Sequence, residues 1–283
     1  WLAGPDWRKL DLVGRSRCGD SVSWLCVGCA LASARAKALT SAGSREFPEP
    51  CPLDSHSMAK VLLDVGAHIG ETLKVARDPK WGFDAIYCFE PAPQCWDQIE
   101  ALADQRVTLL PFGLWSEDAT LTLHDPGLVG ASLMSAKSLT SDSVEVQLRS
   151  ASEWFAANVS ASDEVIVKIN CEGAECEILE ALLTAGELSK IDELVVHFDV
   201  KKVPGKESEE RRIRDKREAA GVPYRDADSI FFGKNIYDKT TNWLEYYHAT
   251  GPKRLLYSVV RRAEFAIRGP IYEFRVRYLR LRP

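Results

Sequence analysis

The chain has 283 residues, 46% apolar and 27% charged, with a net charge of −5. That balance suits one or two globular domains with a sizeable core and gives no support to a nucleic-acid partner. The charge is uneven: Gly251 to Pro283 holds nine Lys/Arg and two Glu (+7), and Trp1 to Ser57 holds seven and six (+1), so Met58 to Thr250 carries −13. An acidic body with a basic tail follows.

Residues 1–57 show no long period and read as an irregular or disordered leader that need not belong to the native protein. Val22 to Ala34, after Arg15 and Arg17 and ending in Ala32-Ser33-Ala34, has the loose outline of a signal peptide, so secretory or organelle targeting stays open beside a cytoplasmic location. Its apolar run is too short to span a bilayer. Cys26-Val27-Gly28-Cys29 lacks a second CxxC or a His pair, which leaves no metal-site pattern. The body cysteines Cys88, Cys95, Cys171 and Cys176 fall in apolar or helical patterns and read as small buried thiols.

From Lys60 the pattern becomes regular. Val61–Val65 and Ala85–Glu90 are apolar runs ending in an acid, which read as buried parallel strands. Glu71 to Ala76 and Pro93 to Ala103 follow as helices, and Val107–Leu110 is a third strand. Ala119–His124 and Val144–Leu148 alternate apolar and polar residues, as exposed antiparallel strands do. Ser150 offers an N-cap to a helix around Glu153–Phe155. Val165–Ile169 and Leu194–Phe198 are further buried strands, with a helix from Gly173 to Leu183 between them. Glu207 to Ala219 is strongly charged, with i,i+4 pairs Glu207/Arg211 and Glu210/Arg214, and reads as a solvated helical face. Ser229–Phe232 is a last short strand. Strands alternating with helices give an α/β fold: a Rossmann-like, mostly parallel sheet with helices on both faces, over residues 58–250. No run is long enough for a transmembrane helix.

The informative element is Asp64-Val65-Gly66-Ala67-His68-Ile69-Gly70, a D-x-G-x-x-x-G string between strand and helix. Ligands of open α/β sheets bind beyond the strand carboxyl ends. Gly66 lets backbone come close to a ligand, and Gly70 lets the helix start pack tightly. A dinucleotide loop would present glycine to a pyrophosphate where this chain has Asp64. A carboxylate there suits an amine-bearing cation and repels a pyrophosphate, so Asp64 fits the amino-acid end of S-adenosylmethionine. Glu90, about 20 residues beyond the loop, can accept both ribose hydroxyls; as a strand-end acid it can also cap the next helix.

These residues resemble the FkbM family of methyltransferases. The resemblance rests on Leu63–Gly70 with Cys88-Phe89-Glu90-Pro91, and on Val167-Lys168-Ile169-Asn170-Cys171-Glu172-Gly173-Ala174-Glu175, where the family's strand ends K-I-D-x-E-G-A-E. Phe112-Gly113-Leu114 and Ala131-Ser132-Leu133 are similar to its looser motifs. The likeness covers roughly residues 60–235. It implies a class I methyltransferase fold, S-adenosylmethionine as cofactor, and O-methylation of a hydroxyl on a small molecule or glycan. By position, Asp64, Gly66 and Gly70 would hold the methionine end, Glu90 the ribose, and Gly113 and Leu114 the adenine. Glu172 and Glu175 would lie at the reaction centre or support it.

One departure bears on chemistry. The family usually has Asp where this chain has Asn170, and an amide cannot take a proton near neutral pH. His197 and His68, the latter in place of the family's common Asn, are the other candidate bases; His197 inside an apolar strand also reads as a core histidine. An active O-methyltransferase, a cofactor-binding pseudoenzyme and a nicotinamide-dependent oxidoreductase are the competing readings, and Asp64 speaks against the last. The basic tail from 251 to 283 has period two over Arg275–Arg282, which suits a strand or an extended arm; the tail is solvated, docks on the acidic body or touches an anionic membrane.

Overall fold

In the computed structural model the described residues are 58–259, apart from 201–202, 204, 207, 222–224, 228–232, 234, 254 and 258. The leader, the strand expected at Ser229–Phe232, the Glu207/Arg211 pair and the arm at 275–282 lie outside them. The chain runs β1 (Lys60–Val65), α1 (Glu71–Ala76), β2 (Ala85–Phe89), α2 (Pro93–Glu100), β3 (Val107–Leu110), β4 (Gly113–Trp115), β5 (Ala119–His124) and β6 (Ser143–Ser150). It continues α3 (Ala151–Asn158), β7 (Glu164–Ile169), α4 (Glu175–Thr184), β8 (Glu193–Val196), α5 (Glu209–Ala219), β9 (Arg225–Asp226) and α6 (Ile236–His248).

The apolar runs form one six-stranded sheet in the order β3-β2-β1-β7-β8-β9, with every pairing parallel. Such strands lack alternation because both faces are covered. On one face Leu63, Phe89, Phe155, Ile178 and Phe198 are buried beneath α3, α4 and α5. On the other, Leu62, Leu73, Ile86, Ile99 and Trp243 are buried beneath α1, α2 and α6. Each such side chain contributes about 1.5–3 kcal/mol.

The two alternating segments pair antiparallel as β5 and β6, from Ala119 opposite Leu148 to His124 opposite Ser143. With β4 they form a second sheet, ordered β4-β6-β5. Val146 and Leu148 turn inward with Ala92 and Cys95. Ser150 caps α3, its hydroxyl accepting from Glu153 N at 3.3 Å.

Two elements depart from expectation. Helix α5 keeps the Glu210–Arg214 pair at 2.5 Å but is more than a solvated face. Ile213 is fully buried, Arg217 is 1% exposed, and Arg212 and Lys216 both reach Glu180 on α4. A helix this polar docks through one apolar side chain and the stems of its long cations. Helix α6 has no counterpart in the sequence reading; Asn235 caps it by accepting from Asp238 N at 2.9 Å. Residues 251–253, 255–257 and 259, at the start of the basic tail, are helical. Among the described residues no helix is long and apolar enough to cross a membrane.

Candidate active site

The order of the parallel strands reverses between β1 and β7. Crossovers leave such a point in opposite directions and open a crevice at the strand carboxyl ends. A cleft of about 490 Å³ lies there, within the range of small-molecule sites. Its walls come from the tips of β1, β2, β7 and β8, from Gly127–Ala131 and from α6.

The loops leaving the strands stay in register. Gly66 N and Ala67 N donate to Phe89 O at 3.1 and 3.0 Å, Asn170 N to Val65 O at 3.0 Å, and His197 N to Ile169 O at 2.9 Å. Gly66 has φ +81°, and a Cβ on it would lie 2.1 Å from Asn170 O. The absent side chain therefore makes room for the neighbouring loop, besides any ligand. Gly70, at φ +79°, begins α1 against Leu102 and does not line the cleft.

Asp64 does not line the cleft either. Parallel register sets it opposite Lys168, whose Nζ lies 2.8 Å from Asp64 Oδ1 and donates to Gly66 O at 2.8 Å. The carboxylate is 0% exposed beneath the glycine loop, while Lys168 reaches the wall. A direct contact between Asp64 and a ligand's amino group thus gives way to an internal ion pair. Burial pushes the Asp64 carboxyl up against the pull of Lys168. Burial also weighs against the Lys168 ammonium, but the adjacent Asp64 carboxylate more than reverses it.

Glu90 lines the cleft and is also a brace: Oε2 accepts from His68 N at 2.7 Å and Oε1 from Ala92 N at 2.8 Å, at the start of α2. The capping reading and the cleft reading both apply, since each oxygen keeps a second acceptor site. Burial raises its pKa. His68, at φ +48°, sets Nδ1 3.1 Å from Glu71 Oε1 and Nε2 3.3 Å from Gly127 O. Acceptors on both nitrogens favour the imidazolium, and the Glu71 bond raises its pKa most. His68 thereby ties the glycine loop to the loop that follows β5. Gly113 and Leu114, at the start of β4, line the cleft; a Cβ on Gly113 would lie 3.5 Å from Pro91 Cγ.

At the tips of β7 and β8, Asn170, Cys171, Glu172 and His197 share the cleft wall. Glu172 and Gly173 both take positive φ, +52° and +118°. Glu175 stands behind this turn, 0% exposed, with Oε1 accepting from Cys171 N at 3.2 Å and Gly173 N at 2.9 Å. Burial pushes its carboxyl up to about 7. β8 ends at Val196, so His197 sits just past the strand with its side chain 32% exposed, not in the strand interior. Its Nδ1 lies 3.1 Å from Asn170 Oδ1, and its Nε2 lies 4.0 Å from Oδ1 of Asp199, which is fully buried.

Lys168, Asp199 and Lys239 were not singled out by sequence reasoning. Lys168 stood inside the K-I-x-x-E-G-A-E string, where only its partner across the sheet reveals it. Lys239 comes from α6, whose signals were the Asn235 cap and the helical spacing of Thr240, Trp243 and Leu244. The thiols of Cys88, Cys95 and Cys176 are buried; Cys171 is half-buried, and burial raises its pKa well above the ordinary value. Among the described residues, no group of three or more His, Cys, Asp or Glu is placed to hold a metal ion.

The family model described as Methyltransferase FkbM domain matches residues 64–224. No curated protein and no solved structure matches the chain.

Proposed function

The chain belongs to the FkbM methyltransferase family, and from that premise we propose that it transfers a methyl group from S-adenosylmethionine to a hydroxyl of a small molecule or glycan. One observation carries the reading: the glycine loop, Glu90 and the Asn170–His197 pair face a single cleft. The cleft suits this donor. Glu90 can accept a ribose diol there, and the loop carries Asp64 where a dinucleotide site presents glycine to the pyrophosphate. Gly66 and Glu90 would hold the donor, with Gly113 and Leu114 beside its adenine.

The donor supplies an electrophilic methyl carbon on a sulfonium. The chain's own task is to align an oxygen with that carbon and to receive the proton. With Nδ1–H donating to Asn170 Oδ1, His197 keeps a lone pair on Nε2 to take the hydroxyl proton. Asp199 then faces the imidazolium that forms. Asn170 orients the imidazole, a role that needs an acceptor and no titration. The family's usual Asp is therefore dispensable here.

The test is mass spectrometry of full-length protein with S-adenosylmethionine and a panel of sugars and small hydroxyl compounds, reading the added methyl group. His197→Ala is expected to lower turnover by about 10²–10⁴-fold with donor affinity unchanged. Donor binding without transfer to any acceptor would favour the pseudoenzyme reading that Asn170 raises. Binding of NAD but not of S-adenosylmethionine would overturn the proposal.

A further inference from the structure

The cations lining the cleft are unevenly engaged. Lys168 is held by Asp64 and Gly66 O, and His68 by Glu71. Lys239, near the start of α6, lines the same cleft, and no carboxylate of a described residue lies within 4.0 Å of its ammonium. Its helix is fastened to α1: Lys74 Nζ donates to Tyr237 Oη at 3.1 Å, and Trp243 and Leu244 share a core with Leu73 and Ala76. Lys239 thus lines the cleft from a helix that packs on α1, whose Glu71 and Thr72 line it too.

That side needs a cation if a free amino-acid group enters. An α-carboxylate placed there meets Glu71, a like charge. A charge-assisted bond to this ammonium offsets both the repulsion and the desolvation. We infer that Lys239 binds the α-carboxylate of the methyl donor's methionine portion. The inference rests on reading this cleft as an S-adenosylmethionine site, and it goes beyond the glycine loop and Glu90. An anionic acceptor is the competing use of the same charge; the position of α6 against α1 favours the donor.

Calorimetric titration of the full chain with S-adenosylmethionine and with its decarboxylated form tests this without turnover. Lys239→Met is expected to weaken S-adenosylmethionine roughly ten- to hundredfold and to leave the decarboxylated ligand unchanged. Lys239→Arg should retain most of the affinity. Equal S-adenosylmethionine affinity in wild type and Lys239→Met overturns the inference and leaves the donor reading standing. An equal loss for both ligands also overturns it, because the lysine would then act through the fold. A wild type that binds neither ligand removes the donor reading itself.

Discussion

Lys168→Met separates a structural ion pair from a surface one. Asp64 is fully buried, and Lys168 supplies its neighbouring positive charge at 2.8 Å. Removing one member of a buried pair costs about 3–5 kcal/mol, since the remaining charge is left uncompensated. Against a typical total of about 5–15 kcal/mol this is a large share. The pH dependence identifies the cause. Without Lys168 the folded state keeps Asp64 protonated well above its ordinary value of 3.8, while the unfolded chain has released that proton. Folding is then linked to proton uptake, and stability falls by about 1.4 kcal/mol per pH unit until the folded pKa is passed. Urea denaturation of wild type, Lys168→Met and Asp64→Asn/Lys168→Met at pH 4.5, 6 and 7.5 measures this. The single variant's deficit should grow with pH. The double variant, with no buried charge, should recover most of the loss. A Lys168→Met protein as stable as wild type at every pH would refute the argument that this pair organises the glycine loop.

Two further substitutions probe the same end of the sheet. Gly66→Ala places a Cβ 2.1 Å from the backbone oxygen of Asn170 at φ +81°; left-handed geometry and overpacking together cost about 2–4 kcal/mol. The melting temperature should drop and donor affinity be lost, so an unchanged melting curve would contradict the geometry. Glu175→Gln keeps an oxygen for Cys171 N and Gly173 N but cannot ionise. Between 4.5 and about 7 folded wild type holds a proton at Glu175 that the unfolded chain has released. Its stability therefore declines as pH rises through that window, by at most about 3 kcal/mol. The variant should match wild type near pH 4.5 and exceed it at pH 8 in urea melts; a gap independent of pH would disprove the role of burial.

The sequence by itself determined what is local. Apolar runs such as Val61–Val65 and Val165–Ile169 announced parallel strands, because a strand covered on both faces has no alternation to show. The alternation of Ala119–His124 announced a half-exposed pair, and Ser150 its helix cap. The glycine loop and Glu90 were visible because one strand–turn–helix unit and the next strand hold them. What only the tertiary structure decided depends on register between distant segments. Lys168 stands beside Asp64 because β7 pairs with β1 one residue for one residue across about a hundred positions of sequence. The same pairing brings Asn170 against Gly66 and removes Asp64 from the cleft. His197 reaches the cleft because β8 ends one residue earlier, beside β7. Lys239 joins it because α6 folds back onto α1. Sheet register and helix docking are settled by burial summed over the whole core, which no single stretch of the chain carries.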